Sequence, residues 1–135
     1  MIIADTNLVV PLMIRQDNTE LARAVLKKDP DWAAPPLWRS EFRNVLWLYI
    51  RNQNLSLSDA RDYYRTAERL LARNEYDAAS EAVLVLAAQS GCSSYDCEFV
   101  YVAQKHSLPL VTFDKKVLAN FPGLAISAGE FLQRA

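Results

Sequence analysis

Of the sixteen acidic residues in the chain, four stand where an apolar residue belongs. Asp5 directly continues the apolar run Met1-Ile2-Ile3-Ala4, and Asp114 follows Leu110-Val111-Thr112-Phe113. Glu41 has Leu37 and Trp38 one turn before it and Val45 and Leu48 at i+4 and i+7, on or beside an apolar helical stripe. Asp96 has Phe99, Val100 and Ala103 at i+3, i+4 and i+7, and so opens an apolar face. A carboxylate at the edge of a core is costly unless it is neutralised, paired or metal-bound. If the four converge, repulsion raises their pKa values and divalent cations would cancel the charge. Oxygen ligands without Cys or His favour Mg²⁺ or Mn²⁺ over Zn²⁺. Each acid also has a plainer reading. Asp5 and Asp114 can cap the helices after their strands, Asp96 can be a first-turn acid favoured by the helix dipole, and Glu41 can be salt-bridged.

The elements that must position these acids are legible in the pattern of apolar residues and breakers. Residues 1–4 form a buried strand, and Leu8 to Ile14 a short helix with Pro11 in its first turn. Asn18 or Thr19 caps a helix to about Lys28, Trp32 to Ala34 is a short strand stopped by Pro35-Pro36, and a long helix runs from Leu37 to about Asn52. Ser56 caps a helix to about Arg73, Asp77 or Ser80 opens one to Gln89 that Gly91 ends, and Ser93 or Ser94 caps one from Tyr95 to about Lys105. Pro109 to Phe113 is a second buried strand, and Leu124 to Ile126 a last one before a C-terminal helix from Ala128. Short apolar strands alternating with helices give an α/β fold: a three-layer α/β/α sandwich on a mostly parallel sheet of about four or five short strands. Ligands of such sheets bind beyond the carboxyl ends of the strands, where strand order reverses. Two of the strongest strands end in an aspartate there.

The chain has 135 residues, 51% hydrophobic and 23% charged, with three glycines and no linker-like tract. It is expected to form one domain over residues 1–135. No apolar stretch approaches the roughly 20 residues of a membrane-spanning helix, and the start does not read as a secretory signal. A soluble, cytoplasmic protein with no membrane partner is expected. Cys92 and Cys97 have no second Cys or His pair to complete a zinc site and read as buried thiols. His106 is the only histidine, which excludes any mechanism that needs two. A net charge of −1 argues against broad adhesion to nucleic acid, but not against an acidic site with a local basic rim.

Arg39 and Arg43 flank Glu41, and Lys115 and Lys116 follow Asp114; these four can grip nucleic-acid phosphates around an acidic centre or be solvated surface charge. Arg61, Arg65, Arg69 and Arg73 recur every four residues and read chiefly as a solvated helix face, with Asp62 and Glu68 nearby. The long helix is apolar on more than one side: Trp38, Phe42, Val45 and Tyr49 on one, extended by Leu46, Trp47 and Ile50. Such a helix needs two packing partners.

Four segments carry a family likeness: Ile2-Ile3-Ala4-Asp5-Thr6-Asn7, Ser40-Glu41-Phe42-Arg43-Asn44-Val45-Leu46, Ser94-Tyr95-Asp96 and Leu110-Val111-Thr112-Phe113-Asp114. In this order and spacing, across nearly the whole chain, they resemble the PIN-domain family and in particular the VapC-type toxins of toxin–antitoxin pairs. The resemblance implies a PIN-like fold and a ribonuclease that hydrolyses RNA phosphodiester bonds with water activated on one or two Mg²⁺ or Mn²⁺ ions. It implies that Asp5, Glu41, Asp96 and Asp114 form the metal site, with Asn7 and Thr112 orienting carboxylates or water behind them. It also implies a cognate antitoxin and a homodimer as partners. Where some relatives carry a further acid, this chain has Lys115-Lys116-Val117, so one or two metals stay open.

The main rival is a PIN-like module that binds RNA or protein without cleaving. Phosphoryl-transfer proteins fit less well. A dehalogenase-type phosphatase needs a second Asp where Asn7 stands, and no receiver-type Asp and Lys pair is evident.

Overall fold

Four short, buried strands organise the chain: β1 (Ile2–Ala4), β2 (Trp32–Ala33), β3 (Leu110–Val111) and β4 (Ala125–Ile126). The computed structural model describes all residues 1–135. All three strand pairings are parallel, in the order β2-β1-β3-β4. Strands enclosed on both faces carry unbroken apolar runs, as Ile2-Ile3-Ala4 does. The mostly parallel sheet expected from the sequence is therefore wholly parallel.

The helices are α1 (Thr6–Met13), α2 (Thr19–Lys28), α3 (Leu37–Gln53), α4 (Leu57–Leu71), α5 (Ser80–Ser90), α6 (Ser94–His106), α7 (Lys115–Asn120) and α8 (Ala128–Gln133). A single 3-10 turn, Ala72–Asn74, follows α4. From β1 the chain crosses to β2 on one side, then returns past β1 to β3. Right-handed crossovers in opposite directions place their helices on opposite faces of the sheet. Accordingly α2 packs against α1 and α8, whereas α6 lies on β1 and β3 and is covered by α5. One contiguous cluster of 31 buried residues fills the interior.

Local chemistry sets the helix ends. Ser56, Ser93 and Ser127 are N-caps whose hydroxyls accept from the amides of Asp59, Asp96 and Glu130, each three residues on. Gly91 ends α5 with φ +74°, a left-handed conformation that suits a residue without Cβ. Ser80, one of the two expected openings, is the first residue of α5, after Ala79 at the cap position. Two details differ from the sequence expectation. Helix α1 begins at Thr6, so Pro11 lies in its interior and not its first turn. Strand β3 stops early because the Phe113 amide leaves the ladder to bond Asn7 Oδ1 at 3.2 Å.

On α3, Trp38, Phe42 and Leu46 form the buried stripe. Phe42 is fully enclosed, and its loss to Ala would cost about 3–5 kcal/mol. Val45 and Tyr49, expected on the same stripe, are half-buried; Val45 packs against the core and Tyr49 does not. Cys92 and Cys97 are buried free thiols, as expected. His106 ends α6 with its ring stacked 4.0 Å from that of Tyr76. No helix is long and apolar enough to cross a membrane.

Candidate functional site

The reversal of strand order falls between β1 and β3, and the residues just after these strands are Asp5 and Thr112 to Asp114. A cleft of about 440 Å³ opens there, lined by Asp5, Glu41, Asp96 and Asp114 together with Asn7. Four segments far apart in sequence thus bring all four expected acids to one wall. Each arrives by a different device: Asp5 at the end of β1, Glu41 in the second turn of α3, Asp96 in the first turn of α6, and Asp114 at the N-cap of α7.

Thr112 lies fully buried beneath the cleft and ties it together. Its Oγ1 donates to Asp5 Oδ2 at 2.8 Å, and accepts from Asn7 Nδ2 at 3.2 Å and from the Asp114 amide at 3.0 Å. Asn7 in turn accepts from the Phe113 amide through its Oδ1. A hydroxyl with one proton and two lone pairs has all three used here. Neither residue is spare polarity: together they lock the end of β3 onto the start of α1.

Sequence reasoning missed Thr6 in this role. Its hydroxyl donates to Glu41 Oε1 at 2.7 Å, steering the α3 carboxylate toward the end of β1. The available signal was a hydroxyl directly after the strand-end aspartate.

The electrostatics match a concentrated negative charge. Burial raises Asp5 most, the Thr112 bond partly offsets it, and Glu41 and Asp96 raise it further, to about 7. Glu41 is raised by burial and by the charges of Asp96 and Glu98, against the lowering bond from Thr6. Asp96 is raised by burial and by Asp114, with Ser93 and Lys116 acting the other way. Asp5 stands at the N-cap position of α1 without a full side-chain cap bond, and the Asn7 amide beside it lowers its pKa slightly. Asp114 does cap α7, with Oδ1 accepting from the Lys116 and Val117 amides at 2.8 and 3.1 Å, which leaves Oδ2 unengaged.

No three of these side chains converge tightly enough to make a closed cation cage. The donor set nonetheless suits a hard divalent cation. It is all oxygen, buried and crowded enough to raise three carboxyls, and braced by hydroxyl and amide donors. Bringing a cation in requires side-chain movement within the cleft.

The basic residues divide. Arg39 does not line the cleft. Its Nε donates to Glu75 at 2.7 Å, and its Nη1 donates to Glu68 at 2.6 Å and to Tyr64 at 2.9 Å. The expectation that Arg39 grips RNA is therefore corrected: two carboxylates and a phenol occupy its guanidinium. Arg43 faces a different, apolar groove between α3 and α4, beside Leu46, Trp47, Ile50 and Leu57. Lys115 and Lys116 are exposed in the first turn of α7, and the charge of Lys116 is felt at Asp96.

The sequence profile of the PIN domain family matches residues 2–124. The chain belongs to the PIN domain family. A curated PIN-domain relative, Ribonuclease VapC3 of Pyrobaculum aerophilum, is 22% identical over 126 residues, covering 91% of this chain and 96% of that protein. The PIN fold here is similar to the crystal structure of PAE2754 from Pyrobaculum aerophilum, with a TM-score of 0.78 at 25% identity over 96% of this chain and 92% of that one. It also matches the fold of a toxin–antitoxin complex from Klebsiella pneumoniae, with a TM-score of 0.71 at 20% identity over 95% of this chain and 98% of that one. The same holds for FitAcB from Neisseria gonorrhoeae, with a TM-score of 0.71 at 19% identity over 96% and 99% of the two chains.

Proposed function

We propose that this PIN domain is a metal-dependent endoribonuclease, the toxin of a toxin–antitoxin pair, with Asp5, Glu41, Asp96 and Asp114 as its cation-holding residues. The observation that carries the reading is the meeting of four distant acids in one cleft at the strand-order reversal, where burial first and neighbouring carboxylates second raise three of them. A crowd of carboxylates is a poor binding site for a polyanion until its charge is cancelled. Mg²⁺ or Mn²⁺, when bound, supplies that cancellation and the Lewis acidity that phosphodiester hydrolysis needs. The chain's own groups do the positioning. Thr112 fixes Asp5, Thr6 fixes Glu41, and the α7 amides fix one oxygen of Asp114 and leave its other oxygen unengaged. Lys116 stands beside the acids and can meet a substrate phosphate.

The similarity to Ribonuclease VapC3 and to a chain of the toxin–antitoxin complex from Klebsiella pneumoniae supports the ribonuclease and toxin parts of the reading. A cognate antitoxin and a second copy of the chain are the proposed protein partners. The half-exposed Trp47 in the α3–α4 groove is compatible with such a covering.

The test is RNA cleavage by the purified chain with and without chelator. Cleavage that stops on chelation, returns with Mg²⁺ or Mn²⁺, and disappears in Asp5→Asn and Asp96→Asn supports the proposal. Survival in either variant removes these acids from the mechanism. Metal-independent RNA binding without cleavage would favour a non-catalytic module.

A further inference from the structure

The acidic cleft has a second wall that the metal chemistry does not use. Tyr49, Gln16, Asn18 and Phe113 line it along with the carboxylates. Tyr49 lies two turns beyond Glu41 on α3, about 12 Å along the helix at 1.5 Å per residue. It is unusual among the aromatic residues. Tyr63, Tyr64, Tyr76, Tyr101, Phe113 and Phe121 are also half-buried, and all of them pack against the core; Tyr49 does not. A large ring held partly out of water, and not by the core, lines the cleft. Phe113 differs: its backbone is pinned by Asn7, and its ring bridges core and cleft.

The carboxamides of Asn18 and Gln16 also keep unused hydrogen-bonding capacity. Asn18 occupies the N-cap of α2, where an Asn side chain normally accepts an amide bond, yet it makes none. Thr19 closes the turn instead, accepting from the Gln16 amide and donating to the Pro11 carbonyl. Gln16 uses only Nε2, on the Ile14 carbonyl, leaving its Oε1 free. An aromatic face beside two amide groups, each offering a donor or an acceptor, is the chemistry by which proteins take up an unstacked base and read its edge.

We infer that this wall is a nucleobase subsite: the base next to the scissile phosphate of single-stranded RNA stacks on Tyr49 and has its edge read by Asn18 and Gln16. This rests on the ribonuclease reading, and gives it a source of sequence preference. The acids hold the phosphate end of the substrate and the wall holds a base. A partner-protein side chain is the competing occupant. The wall's mixture of one ring outside the core, the unbonded Asn18 carboxamide and the unbonded Gln16 Oε1 fits a heteroaromatic with several edge groups better than an aliphatic side chain.

The test measures affinity in the Asp96→Asn background, which keeps RNA intact while leaving the wall untouched. The probes are short oligoribonucleotides of A, C, G or U, each paired with a version made abasic at one position, in Mg²⁺. Tyr49→Ala is expected to weaken binding of the intact probes by roughly 5- to 150-fold, the range for loss of one base–aromatic stack. Tyr49→Phe should retain most of the affinity. One abasic position should cost a similar factor, and Tyr49→Ala should then cost little more. Asn18→Ala should alter the ranking of the four bases. Independent, multiplying losses from Tyr49→Ala and every abasic substitution would overturn the subsite, as would unchanged binding in Tyr49→Ala. RNA cleavage by the wild-type chain with an unchanged cut-site preference in Tyr49→Ala sinks this inference alone. Failure of the wild-type chain to bind or cleave any RNA sinks the ribonuclease reading with it.

Discussion

Asp5 Oδ2 accepts a 2.8 Å hydrogen bond from Thr112 Oγ1, joining the ends of two adjacent parallel strands from residues 107 positions apart. The same hydroxyl accepts from Asn7 and from the Asp114 amide, so one oxygen connects the first acid, its neighbour and the last acid. Thr112→Val keeps the shape and removes all three bonds. It should destabilise the fold by about 1–3 kcal/mol, the cost of leaving buried polar groups unpaired. It should also push the Asp5 carboxyl further up, since that bond is the main influence holding it down. Thr112→Ser should restore most of both. Denaturant midpoints for the three proteins check the first effect, and carboxyl NMR titration of Asp5 checks the second.

The raised carboxyls set the sign of the pH dependence in the absence of divalent cations. Burial, with the charges of Glu41 and Asp96, raises Asp5 to about 7 in the folded chain from 3.8 for an exposed Asp. Between those values the folded state holds the proton that the unfolded state has lost, so stability is greatest at the acid end and falls as pH rises. The Asp5 contribution over that window is at most about 4 kcal/mol, and Glu41 and Asp96 are shifted in the same direction. Unfolding followed from pH 5 to 8 in chelator should show declining stability, with a flatter profile in Asp5→Asn. A profile that rises over this range would contradict the burial and repulsion described for the site. Mg²⁺ or Mn²⁺ should raise the melting temperature more at pH 8 than at pH 5, because the cations compete with protons for the same oxygens.

Thr6 supplies a separate handle on Glu41. Its 2.7 Å bond favours the ionised carboxylate against burial and the charges of Asp96 and Glu98. Thr6→Val should raise the Glu41 pKa and move the acid limb of the cleavage profile to higher pH. Thr6→Ser should leave the limb in place. An unmoved limb in Thr6→Val, with the protein folded, would show that the bond does not govern the ionisation used in cleavage.

The acids and the strand ends were legible in the sequence because burial leaves a local mark: Asp5 and Asp114 interrupt apolar runs, and Asp96 opens an apolar helical face. The element boundaries came through for the same reason, with serine caps and Gly91 marking the helix ends. What was not legible depends on partners distant in sequence. Thr6 meets Glu41 from 35 residues away, and nothing near it distinguishes that bond from an ordinary first-turn hydroxyl. Tyr49 reads as a core residue by helical spacing, because Val45 and Phe42 precede it. Only the packed structure shows that the buried stripe follows Trp38, Phe42 and Leu46 and leaves Tyr49 facing the cleft.

Arg39 shows the same limit from the opposite side, since its position two residues before Glu41 suggested a hand on the substrate. The structure commits it elsewhere. The guanidinium lies 5.2 Å from the Trp38 ring centre and bonds Glu68, Glu75 and Tyr64, linking α3 to α4 and to the segment after the 3-10 turn. Its pKa is raised, chiefly through the bonds to Glu68 and Tyr64. Arg39→Ala should therefore lower stability by about 1–3 kcal/mol, through lost charge-assisted bonds and lost cover over Trp38. Arg39→Lys should recover little, because an ammonium cannot reproduce a planar fork that serves three acceptors. RNA affinity and its salt dependence should stay at the wild-type level in the folded fraction of Arg39→Ala, whereas Lys116→Ala should weaken binding and reduce the salt slope by about one. A reduced salt slope in Arg39→Ala would return that residue to the RNA surface.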